Sequence, residues 1–320
     1  MRALLWLPSM QDERSSGARA KHQHWVPQFY LRYFATADTR DSDTPQVWIF
    51  SKSHEDADEA LTSIRNVCGK RYLYAPKQDD GERDWSLEDR LTRVEGLLGR
   101  VWPALANDYC DLGDATIRKA LALFVALMHT RHPDNRGMVE RVHSELVSLH
   151  EAGPKASDGT PLPSTLEIDG QTHELDPSGW IEYRDQGKDG HDRAFADSVL
   201  DHTGAMAKHL LEKRWSVIRC NVDTFITTDK PVALSHRDRE RFGYGTRGTV
   251  LTFPLSPTRL LVMDDSHHEP ANQYYPLRDG DAGAVNMTAW HAARRFLITG
   301  RSVPDVLHEL LALEERQADK

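Results

Sequence analysis

Helix-type and strand-type hydrophobic patterns occupy different parts of this 320-residue chain, and that separation constrains the fold more than any other feature. Apolar residues spaced three and four apart predict helices over 86–105, 114–132 and 193–213. The last third has short apolar runs between turn residues, which predict strands at 215–220, 224–228, 249–255, 259–263 and 296–299. Runs of helix followed by runs of strand favour an α+β fold over a doubly wound parallel sheet. We therefore expect a helical middle layer packed on a mainly antiparallel sheet from the carboxy-terminal third.

Turn residues divide the chain further. Asn221-Val222-Asp223 and Ser256-Pro257-Thr258 each separate two strands and predict hairpins. Pro133 ends the second helix, and the helix is expected to resume from Met138 to His150. The predicted layout is a disordered tail at 1–20, a strand segment plus helical lobe at 21–150, a flexible insertion at 151–190 with a small hairpin near 166–175, a helix plus antiparallel sheet lobe of the same core at 191–300, and a tail helix at 301–320.

The net charge, the cysteine content and the absence of several sequence motifs argue against a number of protein classes. A net charge of −9 argues against a broad nucleic-acid surface and leaves room only for a local basic cleft. Three cysteines far apart, with no Cys-x-x-Cys, fit a reducing compartment. No apolar run is long enough to span a membrane, and the apolar stretch near the start is short for a signal peptide, so we expect a cytoplasmic protein. Glycine-rich nucleotide loops, G-x-S-x-G and H-E-x-x-H are absent, and the Gly243-Tyr244-Gly245 stretch lacks the context of a phosphate loop.

An aromatic segment at 21–34 carries the first candidate residues. His22 and His24 are two apart, so an extended backbone places both imidazoles on one face, where they can bind a metal or one can act as a general base. The alternative is a solvated His22 and a His24 packed on the core. The aromatic density of the segment predicts that it packs against both the 87–132 helices and the 215–263 strands.

Helical wheels of the first two predicted helices single out one acidic residue and one positively charged residue. Glu95 lies at the shoulder of the apolar stripe of its helix, either at the rim in water or aimed into a cavity. Arg131 continues the apolar stripe of the second helix at its last turn. It is either a cation near the helix end that reaches water, or an inward-facing guanidinium that needs a carboxylate or a bound phosphate. Two further histidines, His202 and His209, are seven apart, which does not suit a helical metal pair, and are expected in the core or an interface.

Asp229 follows an apolar strand and precedes Pro231. A carboxylate at such a turn is either a fixed functional group or a local turn former.

Taken in order, these segments resemble a bacterial protein family, domain of unknown function 4238, over about residues 21–300. The resemblance depends on His22-Gln23-His24-Trp25-Val26-Pro27-Gln28-Phe29-Tyr30-Leu31, Arg93-Val94-Glu95-Gly96, Arg131-His132-Pro133, Phe225-Ile226-Thr227-Thr228-Asp229-Lys230-Pro231-Val232 and Phe253-Pro254-Leu255-Ser256-Pro257. Lys230 stands where the family has Asn, and Asn286 also matches. The family name assigns no activity, so the resemblance adds to the site residues rather than to the function.

The matched polar residues are expected to converge on one pocket between helices and sheet. We expect a hydrolase of the phosphodiester or nucleotide class, such as a nuclease, acting on a small anionic or nucleic-acid substrate. The predicted roles are His24, Glu95 and Asp229 as catalytic residues, Arg131 as anion clamp with Asn286 in substrate binding, and His22 with His24 as ligands of a divalent metal. The alternative is a non-enzymatic interaction protein, for example a partner in a phage-defence or toxin operon, in which these residues form a buried structural network.

Overall fold

A computed structural model describes residues 19–53, 59–162, 164–168, 171–175 and 178–318. The predicted tail at 1–20 lies outside the described residues except for its last two. Over these ranges the chain forms eight α-helices: α1 (Gln28–Leu31), α2 (Ser86–Asn107), α3 (Ala115–Thr130), α4 (Pro133–Glu151), α5 (Trp180–Asp185), α6 (Lys188–Glu212), α7 (Ala282–Ala292) and α8 (Val303–Ala318). The thirteen strands are β1 (His22–His24), β2 (Gln46–Ser51), β3 (Glu59–Ser63), β4 (Gly69–Arg71), β5 (Ser164–Ile168), β6 (Gln171–Leu175), β7 (Arg214–Arg219), β8 (Thr227–Thr228), β9 (Ala233–Ser235), β10 (Val250–Ser256), β11 (Arg259–Asp264), β12 (Gln273–Pro276) and β13 (Phe296–Thr299). The α+β prediction is confirmed.

The largest sheet comes entirely from the carboxy-terminal third, as predicted. Its strand order is β12-β7-β11-β10-β9, and all pairs are antiparallel except β12 with β7. The predicted hairpin at Ser256-Pro257-Thr258 joins β10 and β11. The predicted hairpin near 166–175 is also present, as β5 and β6.

A second sheet joins strands from both ends of the chain, in the order β3-β2-β13-β8. The predicted hairpin at Asn221-Val222-Asp223 is wrong, because β7 belongs to the five-stranded sheet and β8 pairs with β13. The partner of β8 is thus some seventy residues away in sequence, and local turn residues carry no information about it.

The helix boundaries follow from their end residues. The Asp114 carboxylate accepts hydrogen bonds from the N–H groups of Thr116 and Ile117 and begins α3. The helix after it starts at Pro133 and not at Met138 as predicted, since proline suits the first position of a helix, where no N–H is needed. His202 and His209 are exposed on α6, so their predicted place in a core is wrong.

The aromatic segment packs against helices and sheet, which confirms that prediction. The Tyr30 ring stacks on Phe253 of β10 with centroids 5.4 Å apart, and Phe29 contacts Trp102 of α2 at 5.5 Å. The Tyr30 hydroxyl donates a hydrogen bond to the Pro254 carbonyl at 2.9 Å. Aromatic pairs of this kind add to the free energy gained from apolar burial. The segment therefore fixes β1 and its histidines to the core.

The chain divides into two compact units. The first contains the described residues up to Leu73, Glu88–His132 and the chain from Val199 onward; the second contains Tyr74–Leu87 and Pro133–Ser198. These limits differ from the predicted boundaries at 150 and 190, because α4 and the first part of α6 group with the second unit. Within the described residues, no helix has both the length and the apolar character that a membrane span requires.

Candidate functional site

The buried Arg131 side chain connects α2, α3 and β1 within the first unit. It follows the last residue of α3, and only 1% of its surface is exposed. Its Nη1 donates to Glu95 Oε1 of α2 at 2.7 Å, and its Nη2 donates to the backbone carbonyl of His24 in β1. Of the two predicted alternatives, the structure has the inward guanidinium with a carboxylate partner. An arginine so enclosed holds the site together and has little surface for a substrate.

His24 is held in one orientation by both ring nitrogens. Its Nε2 lies 3.1 Å from the Arg65 carbonyl, and its Nδ1 lies 3.3 Å from the Gln28 side-chain amide. A neutral ring with its proton on Nε2 satisfies both contacts, since Nε2 then donates and Nδ1 accepts. Burial lowers the pKa of His24, the nearby charges of His22 and Arg131 add to this, and the bond to Arg65 opposes it. The ring is therefore neutral at pH 7.

Glycine at position 69 makes room for the two imidazoles. β1 pairs with β4, and His24 lies opposite Gly69. The His22 and His24 rings lie 4.9 Å apart, and a Cβ at Gly69 would overlap the His22 ring. Residues on both sides of β4, Cys68 and Tyr72, have positive φ angles of 55° and 54°. Non-glycine residues rarely adopt this conformation, and it is often found beside functional sites.

Glu88 is the titratable group that the sequence reasoning missed. It precedes Glu95 by seven residues, two turns of α2, so both carboxyl groups lie on the same face. Burial and, to a smaller extent, the charge of Glu95 raise the pKa of Glu88 to about 7, and the charge of Arg131 opposes the rise. The signal was available, because the wheel that singled out Glu95 places Glu88 about 20° from it.

The two carboxyl groups have different surroundings. Glu95 is ion-paired with Arg131 and keeps 27% of its side chain exposed, so it is a charged acceptor that water reaches. Glu88 is partly buried and holds its proton up to about neutral pH. A carboxyl group with a raised pKa near an ion-paired carboxylate is an arrangement that general acid–base catalysis uses. Both carboxyl groups keep part of their surface in solvent.

Asp229 is closed to solvent, with none of its surface exposed. Its carboxylate accepts hydrogen bonds from the backbone N–H groups of Arg294, Arg295 and Phe296, between α7 and β13. Its own carbonyl accepts a bond from the Trp25 indole at 2.9 Å. Burial raises its pKa, although the three N–H donors oppose the rise. The turn before Pro231 directs the side chain inward, so its predicted catalytic role lacks solvent access.

Asn286 is likewise enclosed. The N–H of Ile226 donates to its Oδ1 at 3.1 Å, and its Nδ2 donates to the Thr224 carbonyl at 3.0 Å. Only 1% of the residue is exposed. Both ends of the amide thus bind the chain that leads into β8, and its predicted substrate-binding role has no free polar atom to use.

The described part of the chain offers the predicted metal pair no third ligand. His22 is exposed on β1, and His24 uses both ring nitrogens within the protein. Among the described residues, no group of three or more His, Cys, Asp or Glu side chains is arranged to hold a metal ion.

The clearest cavities lie elsewhere. One of about 580 Å³ is next to Trp180 in the second unit. Another of about 420 Å³ lies between Arg219 and Arg301 in the first. Neither is lined by His24, Glu88 or Glu95. The Glu88–Glu95 pair therefore lies outside both of these cavities.

Comparison with known proteins gives one match. A family model with the description Protein of unknown function (DUF4238) matches residues 22–302. No curated protein and no solved structure matches the chain. The matched range includes His24, Glu88, Glu95, Arg131, Asp229 and Asn286.

Proposed function

The chain belongs to the DUF4238 family, whose description assigns no activity, and from its site geometry we propose that it is a hydrolase of the phosphodiester or nucleotide class. Glu88 and Glu95 are its acid–base pair, and Arg131, which binds both Glu95 and the backbone carbonyl of His24, is a positioning residue. The observation that carries the proposal is the Glu88 carboxyl group, whose pKa of about 7 is set by burial next to the ion-paired Glu95. A general acid works best when its pKa is near the working pH.

In the proposed reaction, Glu95 takes a proton from the attacking water as the new P–O bond forms. Glu88 gives its proton to the leaving oxygen as the other P–O bond breaks. Glu95 gains one proton and Glu88 loses one. When Glu95 releases its proton to solvent and Glu88 takes one up, both carboxyl groups return to their starting states. Positive side chains that can stabilise the charge of a phosphodiester lie around β1 and β4, where four basic residues are exposed: Lys21, Arg65, Lys70 and Arg71.

The test compares the parent protein with Glu88→Gln and Glu95→Gln. Hydrolysis of bis(4-nitrophenyl) phosphate and of single-stranded DNA and RNA is measured from pH 5 to 9. Each variant is expected to lose about 100-fold or more of the rate, the usual contribution of one acid–base group. The rate of the parent should fall as the pH rises above about 7, where Glu88 loses its proton. Glu145→Gln, on the exposed surface of α4, is the matched control and should keep the parent rate. Equal rates in all four proteins, or no hydrolysis by the parent, would overturn the proposal.

One observation favours a second candidate, a non-enzymatic interaction protein. Arg131, Asp229 and Asn286 are all buried and bonded to backbone groups, as expected of a structural network. Under this alternative, Glu88→Gln and Glu95→Gln change stability but no reaction, and co-purification of a partner from the native host is the positive result.

A further inference from the structure

A long, internally braced loop exposes several arginines in the first unit. Residues 236–249, the arginine loop, connect β9 and β10, which pair antiparallel from Ser235 and Val250. Loops of this length without regular structure are uncommon in compact proteins unless they have a function.

His236 holds the two arms of the loop together. Its Nδ1 accepts hydrogen bonds from the N–H groups of Asp238 and Arg239 at 3.0 and 3.1 Å. Its Nε2 lies 3.1 Å from the carbonyl of Arg247, on the opposite arm, and donates to it. Gly248 has a φ of 87°, which favours glycine, and a side chain there would press on the His236 ring.

A buried ion pair fixes the base of the loop. Asp265 accepts the N–H of Gly248 at 2.7 Å and binds Lys213 Nζ at 3.1 Å. Lys213 is 4% exposed and also donates to the Thr249 carbonyl at 2.9 Å. The loop is therefore presented in one conformation, which lowers the entropy that binding would cost.

The charges on the loop are unbalanced. It exposes four arginines against two acids: Arg237, Arg239, Arg241 and Arg247 against Asp238 and Glu240. Arg237 lies 3.9 Å from Asp238, but the other three arginines form no ion pair within the part of the chain that the structure describes. In a protein with a net charge of −9, such a cluster is the local basic surface that a phosphate ligand requires.

The loop is anchored on the helix that carries Arg131. The Tyr244 ring packs edge-on against His129 of α3 at 5.1 Å, and burial raises the pKa of the Tyr244 hydroxyl. His129 and Arg131 lie two residues apart, on opposite sides of the end of α3. The loop and Glu95 both connect to the end of α3, the loop through the Tyr244–His129 ring contact and Glu95 through its ion pair with Arg131. A nucleic-acid strand can offer successive phosphates to Arg239, Arg241 and Arg247.

We infer that the arginine loop binds the phosphate backbone of a nucleic-acid strand whose scissile bond lies at Glu88 and Glu95. The inference rests on the proposed function for the position of the scissile bond, and it names the substrate as a polymer. Phosphate contacts of this kind give affinity without sequence specificity.

The test uses Glu88→Gln protein, so that no strand is cut, and fluorescein-labelled single-stranded DNA and RNA of twelve nucleotides. Fluorescence anisotropy gives the binding constant between 50 and 300 mM NaCl. The loop variant adds Arg239→Gln and Arg241→Gln. The matched control adds Arg141→Gln and Arg278→Gln, which remove the same charge from exposed positions outside the loop segment.

The loop variant is expected to reduce the slope of log K against log salt by about 1.4, since each phosphate contact to a single strand contributes about 0.7. The control should keep the slope of the Glu88→Gln protein. Equal slopes in the loop variant and the control, or equal binding of an oligoglutamate of the same charge, would overturn the inference. Hydrolysis of bis(4-nitrophenyl) phosphate by the parent protein separates the two proposals. If the parent hydrolyses it but strand binding does not depend on the loop arginines, strand binding by the loop is refuted and the hydrolase proposal stands. Loop-dependent binding without any hydrolysis refutes the hydrolase and leaves the strand-binding surface standing.

Discussion

The raised pKa of Glu88 makes the stability of the first unit depend on pH in a specific direction. The carboxyl group titrates at about 7 in the folded protein and at 4.5 without that environment. Between these values the folded state holds a proton that the unfolded state has released. Stability is therefore present below about pH 4.5 and is lost as the pH rises through about 7. Glu88→Gln removes this titration while keeping the size of the side chain.

The magnitude follows from the shift. A difference of about 2.5 pKa units is worth about 3 kcal/mol in full, and about 2.5 kcal/mol of it falls between pH 5 and pH 9. Glu88 keeps part of its surface in solvent, so screening reduces the expected effect to about 2 kcal/mol. The parent should therefore lose about 2 kcal/mol of unfolding free energy between pH 5 and pH 9 that the Glu88→Gln variant does not lose.

Urea unfolding followed by tryptophan fluorescence measures this difference, and carbon-13 NMR of the Glu88 carboxyl group measures the pKa directly. Glu145→Gln serves as control, and its difference from the parent should not change with pH. Glu95→Gln should lower the pKa of Glu88, because a neighbouring negative charge is removed. A Glu88 titration near 4.5, or a Glu88→Gln difference constant within about 0.5 kcal/mol across the range, would refute the account of this site.

Three further substitutions test the buried polar groups by thermal melting. Arg131→Met should cost about 3 kcal/mol because it leaves the Glu95 carboxylate without its partner, and the cost should shrink in a Glu95→Gln background. Asp229→Asn should cost about 2 kcal/mol, since an amide NH₂ would face backbone donors; reduced activity at unchanged stability would instead restore its catalytic role. Asn286→Ala should cost about 2–3 kcal/mol through two lost backbone bonds, whereas Thr288→Ala, on the exposed side of α7, should cost under 1 kcal/mol.

Local patterns predicted what depends on local physics. The α+β class, the β10–β11 hairpin and the strand at Phe296–Thr299 follow from periodicity and turn residues. The wheel of α3 placed Arg131 on the apolar stripe and left two alternatives, a cation reaching water or an inward guanidinium with a carboxylate or phosphate partner; the structure has the second, with the Glu95 carboxylate as the partner.

What the sequence could not provide was the identity of distant backbone partners. Asp229 and Asn286 are polar like site residues, but their partners are backbone N–H and carbonyl groups about sixty residues away along the chain. Tertiary packing sets the order of the sheets that bring these partners close. Glu88 differs, since its spacing from Glu95 was visible; only the burial that raises its pKa required the structure.

The place of β13 in the four-stranded sheet has a consequence for how the protein is synthesised. β13 lies between β2 and β8, although β2 emerges from the ribosome some 245 residues earlier. Until residues 296–299 have been made, the β2–β3 pair presents an unpaired edge at Trp48, Ile49 and Phe50. Such edges promote aggregation while they wait for their partner. Nascent chains stalled before β13 should therefore be recovered mainly with chaperones, and release of the next few residues should be the step that frees them.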